Sequence, residues 1–289
     1  MDPAAKVVTW TFLITTMLSI GMRVTPVELL SALRNRSLMI RSLAVNFLIV
    51  PALGLLLVSL VPMSTDVATG LLLMAAMPGG LNAIQFTSKA PGALSYAAVL
   101  LFVLSLLAVL VSPMLAAWML PQHESALTLP LGRVIGFLLA AVVLPLAAGF
   151  ALQHWCGRLS ERLAKPMALV GTVAFVVVVV LLMGRRKEAM STLTGAELAA
   201  MLSLILASMV VGGLLGGPAM DTRRILATAS SMRNAALGLV VALNSFPDGN
   251  VDVAVIAFSG LMIPPNMLFT VYEIIRGRRQ ARHAAEAAK

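Results

Sequence analysis

The sequence alternates long apolar runs with short polar connections of about ten residues or fewer. Each apolar run is long enough, or nearly so, to cross a hydrocarbon core of ~30 Å as a helix that rises ~1.5 Å per residue. This pattern predicts an all-α, polytopic membrane protein with nine transmembrane helices. The predicted helices lie near 7–22, 39–61, 67–88, 93–120, 127–152, 167–183, 193–215, 225–245 and 251–275.

Two of these runs carry an interruption that an ordinary membrane helix does not need. The third contains "MAAMPGGLNAIQFTS", in which Pro78 lacks a backbone donor and Gly79 and Gly80 tolerate an unwound path. The eighth contains "TASSMRNAALGLVVAL", which places several polar groups at membrane depth. Paired interrupted helices are typical of inverted-repeat secondary transporters, whose sites lie near the bilayer midplane. We therefore predict that the two breaks face each other or a shared cavity.

Arg233, in the second interruption, is a permanent charge inside an apolar run. An intramembrane charge costs from about 3 kcal/mol upward and usually marks function. Two interpretations remain open from the residues alone: a direct role in function, or a structural role in which the side chain bonds only to backbone carbonyls. Asp252 is the only acid that we predict as a counter-ion on the outer side.

Composition supports the membrane class, with 60% hydrophobic and 11% charged residues. A formal charge of +9 could indicate a nucleic-acid partner, but the positive-inside rule explains it without one. With nine spans, an outside N-terminus and a cytoplasmic C-terminus, most basic residues fall inside, including a basic tail at 276–289. This predicts a plasma-membrane protein, most simply of the bacterial inner membrane. The exceptions lie outside: Lys6, Arg133, Arg185, Arg186 and Lys187, three of them in the loop "GRRKE" at 184–188.

The sequence gives no support for catalytic or cofactor chemistry. Cys156 is the only cysteine, so an intramolecular disulfide or a thiolate metal site is not expected. No motif for a metal-binding helix or a phosphate-binding loop occurs, and "GGLLGGP" at 212–218 is typical of close helix packing. We therefore predict a protein that is not an enzyme and has no cofactor. Its oligomeric state is left open.

Three motifs resemble those of the bile acid:sodium symporter family. "PGGLN" resembles the family's Pro-Gly-Gly break, "SSMRNAALGLVVAL" its signature in the second crossing helix, and "VNFLIVP" at 45–51 its Gln-Phe-x-x-x-Pro run, with Asn46 at the glutamine position. The resemblance implies panel-type helices at 1–38 and 127–184 and core-type helices at 39–120 and 193–275. It also implies two crossing helices, motion of the core against the panel, and an organic anion bound at the crossing.

The departures from the family concern its sodium ligands. Aligning "MRN" on the family's Met-Gln-Asn puts Ala229 at the position of a glutamate and Arg233 at that of a glutamine, both sodium ligands in coupled members. Hard cations need several oxygen ligands, and a fixed guanidinium would repel the ion. We predict that sodium is not bound and that Arg233 takes its electrostatic role, near helix C-terminal carbonyls and available to an anionic substrate.

The function predicted is sodium-independent transport of a small organic anion across the lipid bilayer. Two alternatives remain: a sodium- or proton-coupled symporter that uses other ligands, and a membrane sensor that kept the fold without transporting. The predicted substrate-binding residues are Asn46, Asn82, Gln85, Thr228, Ser230, Ser231, Arg233, Asn234 and Asn266, and the predicted unwound backbone comprises Pro78, Gly79 and Gly80.

Overall fold

A computed structural model describes residues 3–79, 91–120, 131–246 and 249–287. All regular secondary structure in these ranges is helical. The helices are α1 Pro3–Gly21, α2 Pro26–Arg34, α3 Arg36–Leu60, α4 Thr65–Ala76, α5 Pro91–Met119, α6 131–155, α7 Gly157–Arg185, α8 Lys187–Ser191, α9 Gly195–Leu215, α10 Met220–Ser231, α11 Ala235–Ser245, α12 Val251–Leu261 and α13 Ile263–Ala287. Two π-helical turns interrupt α3 at Val45–Ile49 and α6 at Leu139–Val143.

The helices confirm a multi-pass, all-helical membrane protein. Within the described ranges, seven are long and apolar enough to cross a membrane when α10 with α11, and α12 with α13, are each taken as one span. An eighth is added if α1 and α2, bent by 77°, count as one broken span. The third predicted segment begins as the shorter apolar helix α4, and its second half lies outside the described ranges. The count of nine therefore stays a prediction, as do the inverted repeats.

Helix α1 packs chiefly against α6 and α7. Its closest approach to α6 joins Gly21 and Gly149: a Cβ on Gly21 would lie 2.2 Å from the Leu146 carbonyl oxygen. A Cβ on Gly149 would lie 2.3 Å from the carbonyl oxygen of Leu18. Glycine at both positions allows the two backbones to touch, as small residues do between membrane helices.

The remaining helices form a second group around the two interruptions. Helix α4 packs against α3, α11 and α12, while α9 packs along α10. Glycine again permits close contact, since a Cβ on Gly70 of α4 would lie 2.4 Å from the Ala254 Cβ of α12. Movement of these two groups against each other, as panel and core, stays a prediction.

Candidate functional site

Helix α4 ends at the first predicted break because Pro78 cannot donate the next hydrogen bond. The donor to the Met74 carbonyl would be the N–H of residue 78, which proline lacks. Met74 O instead accepts from Met77 N at 3.2 Å, and Gly79 then takes a positive φ of 57°. Gly80, Asn82 and Gln85, which complete this predicted part of the site, lie outside the described residues.

The second break separates α10 from α11 at Met232–Asn234. Asn234 begins α11 as its N-cap, and its Oδ1 accepts a hydrogen bond from Leu237 N at 3.2 Å. The backbone N–H of Asn234 donates to Met77 O at 3.0 Å. A main-chain hydrogen bond therefore joins the two interruptions, which lie in contact with each other.

Arg233 lies at this contact with 1% of its surface exposed. A guanidinium has five N–H donors and no acceptor. Nε donates to Met74 O at 3.0 Å, and Nη2 donates to Ala75 O and, at 3.3 Å, to Asn46 O. Nη1 donates to Asn46 Oδ1 at 3.0 Å and makes a longer bond to Ser230 O at 3.5 Å. The five donors thus meet five oxygens, four of them main-chain carbonyls.

The carbonyl that Asn46 contributes is free because of a second proline. In the π-helical turn of α3, Val50 N–H donates five residues back to Val45 O. The same spacing would make residue 51 the donor to Asn46 O, but Pro51 has no N–H. The Asn46 side chain is fixed as well, since its Nδ2 donates to Ser42 O at 2.9 Å.

Two helix C-termini point toward the guanidinium. Met74 and Ala75 belong to the last turn of α4, and Ser230 to the last turn of α10. Terminal carbonyls lack intrahelical donors and carry the negative end of the helix dipole, so a cation stabilises both ends. Within the described ranges, no carboxylate lies within 4.0 Å of Arg233. The charge is therefore balanced by dipoles in this part of the structure.

Asp252 has a different partner from the one that the sequence suggested. Its Oδ2 lies 3.2 Å from Nε of Arg186, a residue of the basic "GRRKE" loop. From the sequence, that loop is only an exception to the positive-inside rule. One of its charges is neutralised by an acid at the start of α12.

The hydroxyl groups of the predicted site bond to their own helix, and two of them also bond to neighbouring helices. Thr228 donates to Arg224 O and Ile225 O, and Ser230 donates to Leu226 O at 2.7 Å and across to Ser208 O of α9 at 2.7 Å. Ser231 donates to Asn266 Oδ1 of α13 at 2.9 Å. These bonds hold α10 in place, and a substrate role for the four residues stays a prediction.

Asn234 Nδ2 differs from these groups. The residue is 2% exposed, and Nδ2 is buried with no acceptor within the described part of the chain. Its Oδ1 is used by the helix cap, so the amide orientation is set and the N–H groups are available. An uncommitted donor at the N-terminus of α11 is suited to an anion.

Two cavities lie between the α1–α6–α7 group and the helices around the breaks. One of about 360 Å³ is lined by Arg23, Glu28, Ser95, Gln153 and Lys165 among others. The other, of about 200 Å³, lies toward the opposite end of α1 and is lined by Thr9, Trp10, Leu13, Phe137, Val240, Leu243 and Asn244. Both cavities follow the boundary between the two helix groups.

In the described part of the chain, no three His, Cys, Asp or Glu side chains are placed to hold a metal ion.

Comparison with known proteins places the chain among membrane transporters. The profile of the Sodium Bile acid symporter family matches residues 10–193. The chain is also 25% identical over 247 residues to the probable sodium/metabolite cotransporter BASS2, chloroplastic, of Oryza sativa subsp. japonica. That alignment covers 82% of this chain and 57% of the rice protein, so the chain spans little more than half the length of this relative.

Proposed function

Because the chain belongs to the sodium bile acid symporter family, we propose that it is a secondary membrane transporter of small organic anions in which Arg233 takes the place of a bound cation. The family supports transport of a small solute across a bilayer. The replacement of the ion by a side chain is inferred from this chain's own residues.

The observation that carries the proposal is the oxygen shell around Arg233. Hard cations such as sodium are held by several carbonyl, amide and carboxylate oxygens. The guanidinium donates hydrogen bonds to main-chain carbonyls of α4, α10 and α3 and to the Asn46 amide oxygen. All of these acceptors are neutral. A sodium ion added beside it would meet like-charge repulsion in a medium that screens weakly. The side chain thus supplies permanently the positive charge that a bound ion would supply reversibly.

The same shell bears on how the substrate is bound. All five N–H groups of Arg233 donate to protein oxygens. A nearby anion is therefore attracted by the charge of the guanidinium but receives no hydrogen bond from it. The uncommitted Nδ2 of Asn234, at the N-terminus of α11, then provides the direct hydrogen bond. We place the anionic group of the substrate there, next to the positive charge.

The test is a binding and flux experiment on the full chain. Small organic acids are first screened by thermal shift in choline buffer, and an acid that stabilises the protein is then used as the labelled solute in proteoliposomes. We expect binding and uptake to persist when sodium is replaced by choline. Arg233→Gln should keep the fold and lose the anion response. Uptake that collapses in choline, or an Arg233→Gln variant with unchanged affinity, would contradict the proposal.

Sodium coupling is the second candidate, because the rice relative is described as a probable sodium/metabolite cotransporter. It requires oxygen ligands away from the guanidinium. The choline experiment separates the two candidates directly, and flux as opposed to binding alone distinguishes a transporter from a sensor.

A further inference from the structure

The basic stretch 184–188, at the junction of α7 and α8, joins the two helix groups at the end of the molecule that the positive-inside rule predicts to lie outside. Arg186, the residue between α7 and α8, donates from Nε to Asp252 Oδ2 at 3.2 Å. Its Nη1 donates to Asn250 Oδ1 at 3.3 Å. Asp252 and Asn250 lie at the start of α12, which packs on α4 in the group around the breaks. This guanidinium is therefore one of the contacts that connect α7–α8 to that group, and it is the charged one.

The two members of this ion pair have different environments. The Asp252 side chain is 4% exposed, whereas that of Arg186 is 35% exposed. The second carboxylate oxygen, Oδ1, is buried without a donor in the part of the chain that the structure describes. The acid depends on Arg186, while the guanidinium has N–H groups beyond the two used and reaches solvent.

We propose that Arg186 is the entry site for the substrate anion: an organic carboxylate arriving from the aqueous side replaces Asp252 on the Arg186 guanidinium, and the loss of that ion pair releases α7–α8 from α12. The proposal rests on the anion-transport function given above and adds to it a carboxylate-binding residue and the contact through which binding opens the molecule.

Replacing Asp252 by the incoming carboxylate costs little at Arg186, but it is unfavourable at Asp252. A guanidinium binds one carboxylate much as it binds another, so the incoming anion recovers the charge-assisted hydrogen bond that Asp252 gives up. Asp252, however, would remain as a buried charge without its cation, which is strongly destabilising. That penalty is removed when α12 moves away from α7–α8 and water reaches the carboxylate. Anion binding and separation of the helices therefore favour each other, and the coupling is reciprocal.

Separation can be measured as a distance between α8 and α3. In a Cys156→Ser background, cysteines at the exposed positions Ser191 and Ser59 carry spin labels, and the full chain is reconstituted in sodium-free nanodiscs. Choline salts of acetate, succinate and benzoate are the probes, with choline chloride as the reference. We expect one short distance in chloride and an added longer distance that grows with carboxylate concentration.

Four variants, one of them a control, test the roles of the pair. Arg186→Gln should show the longer distance in chloride and no further response to carboxylate. Asp252→Asn should show no carboxylate-dependent change in distance, since an anion on Arg186 then leaves no buried charge to drive the helices apart. Lys187→Gln, which removes an exposed charge from the same loop, should behave as the parent. Arg186→Lys, which keeps the charge and loses the planar fork, should respond at higher concentrations.

The proposal is overturned if none of the three carboxylates changes the parent's distances, if Arg186→Gln keeps the short distance, or if Lys187→Gln reproduces the effect of Arg186→Gln. Should Arg186→Gln not fold, Arg186→Lys decides between the same alternatives. The distances are recorded without sodium and with Arg233 intact. A negative result here consequently rejects the entry site while leaving the role of Arg233 to its own test.

Discussion

Asn46 accepts two hydrogen bonds from Arg233, one through its side chain and one through its main chain. Oδ1 receives Nη1 at 3.0 Å, and the carbonyl oxygen receives Nη2 at 3.3 Å. The second bond exists because Pro51 provides no N–H for that carbonyl within the π-helical turn. A proline on α3 thus leaves a carbonyl that can accept from the arginine that follows α10. The two hydrogen bonds fix the position of α3 relative to the end of α10.

Asn46→Ala should destabilise the protein by about 1–3 kcal/mol, because a buried N–H of the guanidinium loses its acceptor. Asn244→Ala is the matched control, since the bond that the Asn244 amide makes to the described residues is to Val240 O in its own helix. Thermal unfolding in detergent, followed by circular dichroism, provides the comparison. Equal losses in the two variants would show that the Asn46 side chain contributes nothing specific to the arginine site.

Close packing of α9 on α10 gives a second prediction. A Cβ on Gly212 would lie 2.2 Å from Ser230 Oγ and 2.5 Å from Leu226 O, so Gly212→Ala forces the helices apart. We expect a loss of about 1–3 kcal/mol, as for other overpacked contacts. Gly213→Ala should cause no loss, since its Cβ would be 3.8 Å from the Ala227 Cβ. Apparent melting temperatures of the two alanine variants test this, and a Gly212→Ala protein as stable as Gly213→Ala would refute it.

The sequence was sufficient to predict the all-helical membrane class from apolar length, the first break from Pro78 and Gly79, and the second from the polar residues beside Arg233. Arg233 and Asn46 were both assigned to the predicted substrate site, but the contact between them was not predicted. The sequence did not reveal the acceptors at Met74 and Ala75, because a main-chain carbonyl has no signature in the residue type. The one available signal was Pro78, four residues after Met74, which removes the helical donor.

The partner of Asp252 could not be predicted from the sequence either. The sequence indicated Asp252 only as a counter-ion on the outer side, without its partner. In the structure Asp252 lies at the start of α12 and pairs with Arg186, which lies 66 positions earlier in the chain, after α7. The positive-inside rule assigns the charges of each loop separately, so it does not predict a contact between two loops at the same end of a helix bundle.

Asn234 should be required for anion binding separately from its role as a helix cap. Asn234→Ser keeps an oxygen that can accept from Leu237 N and loses the amide N–H groups. We expect near-normal folding with anion affinity reduced about 10- to 100-fold, the range for loss of one hydrogen bond to a charged group. Titration of the thermal shift with the organic acid found in the screen gives the affinity. Unchanged affinity in Asn234→Ser would move the substrate away from the α11 N-terminus.

The most direct test of the tethered cation is to restore the ligands that the family resemblance implies. Ala229 lies one turn before Arg233 and is buried, with 2% of its surface exposed. In the double variant Ala229→Glu with Arg233→Gln, the smaller glutamine leaves space and the two side chains supply oxygens for a hard cation. The carbonyls of Met74 and Ala75 lose their guanidinium donor and become available to the ion.

We expect the double variant to melt at a higher temperature in sodium than in choline, with a shift that grows with sodium concentration as ligand binding requires. The parent should melt at the same temperature in both salts, because its oxygen shell is already filled by the guanidinium. Arg233→Gln alone, without the carboxylate, should respond less than the double variant. If the parent is itself stabilised by sodium and the double variant gains nothing further, the ion binds elsewhere and Arg233 does not stand in for it.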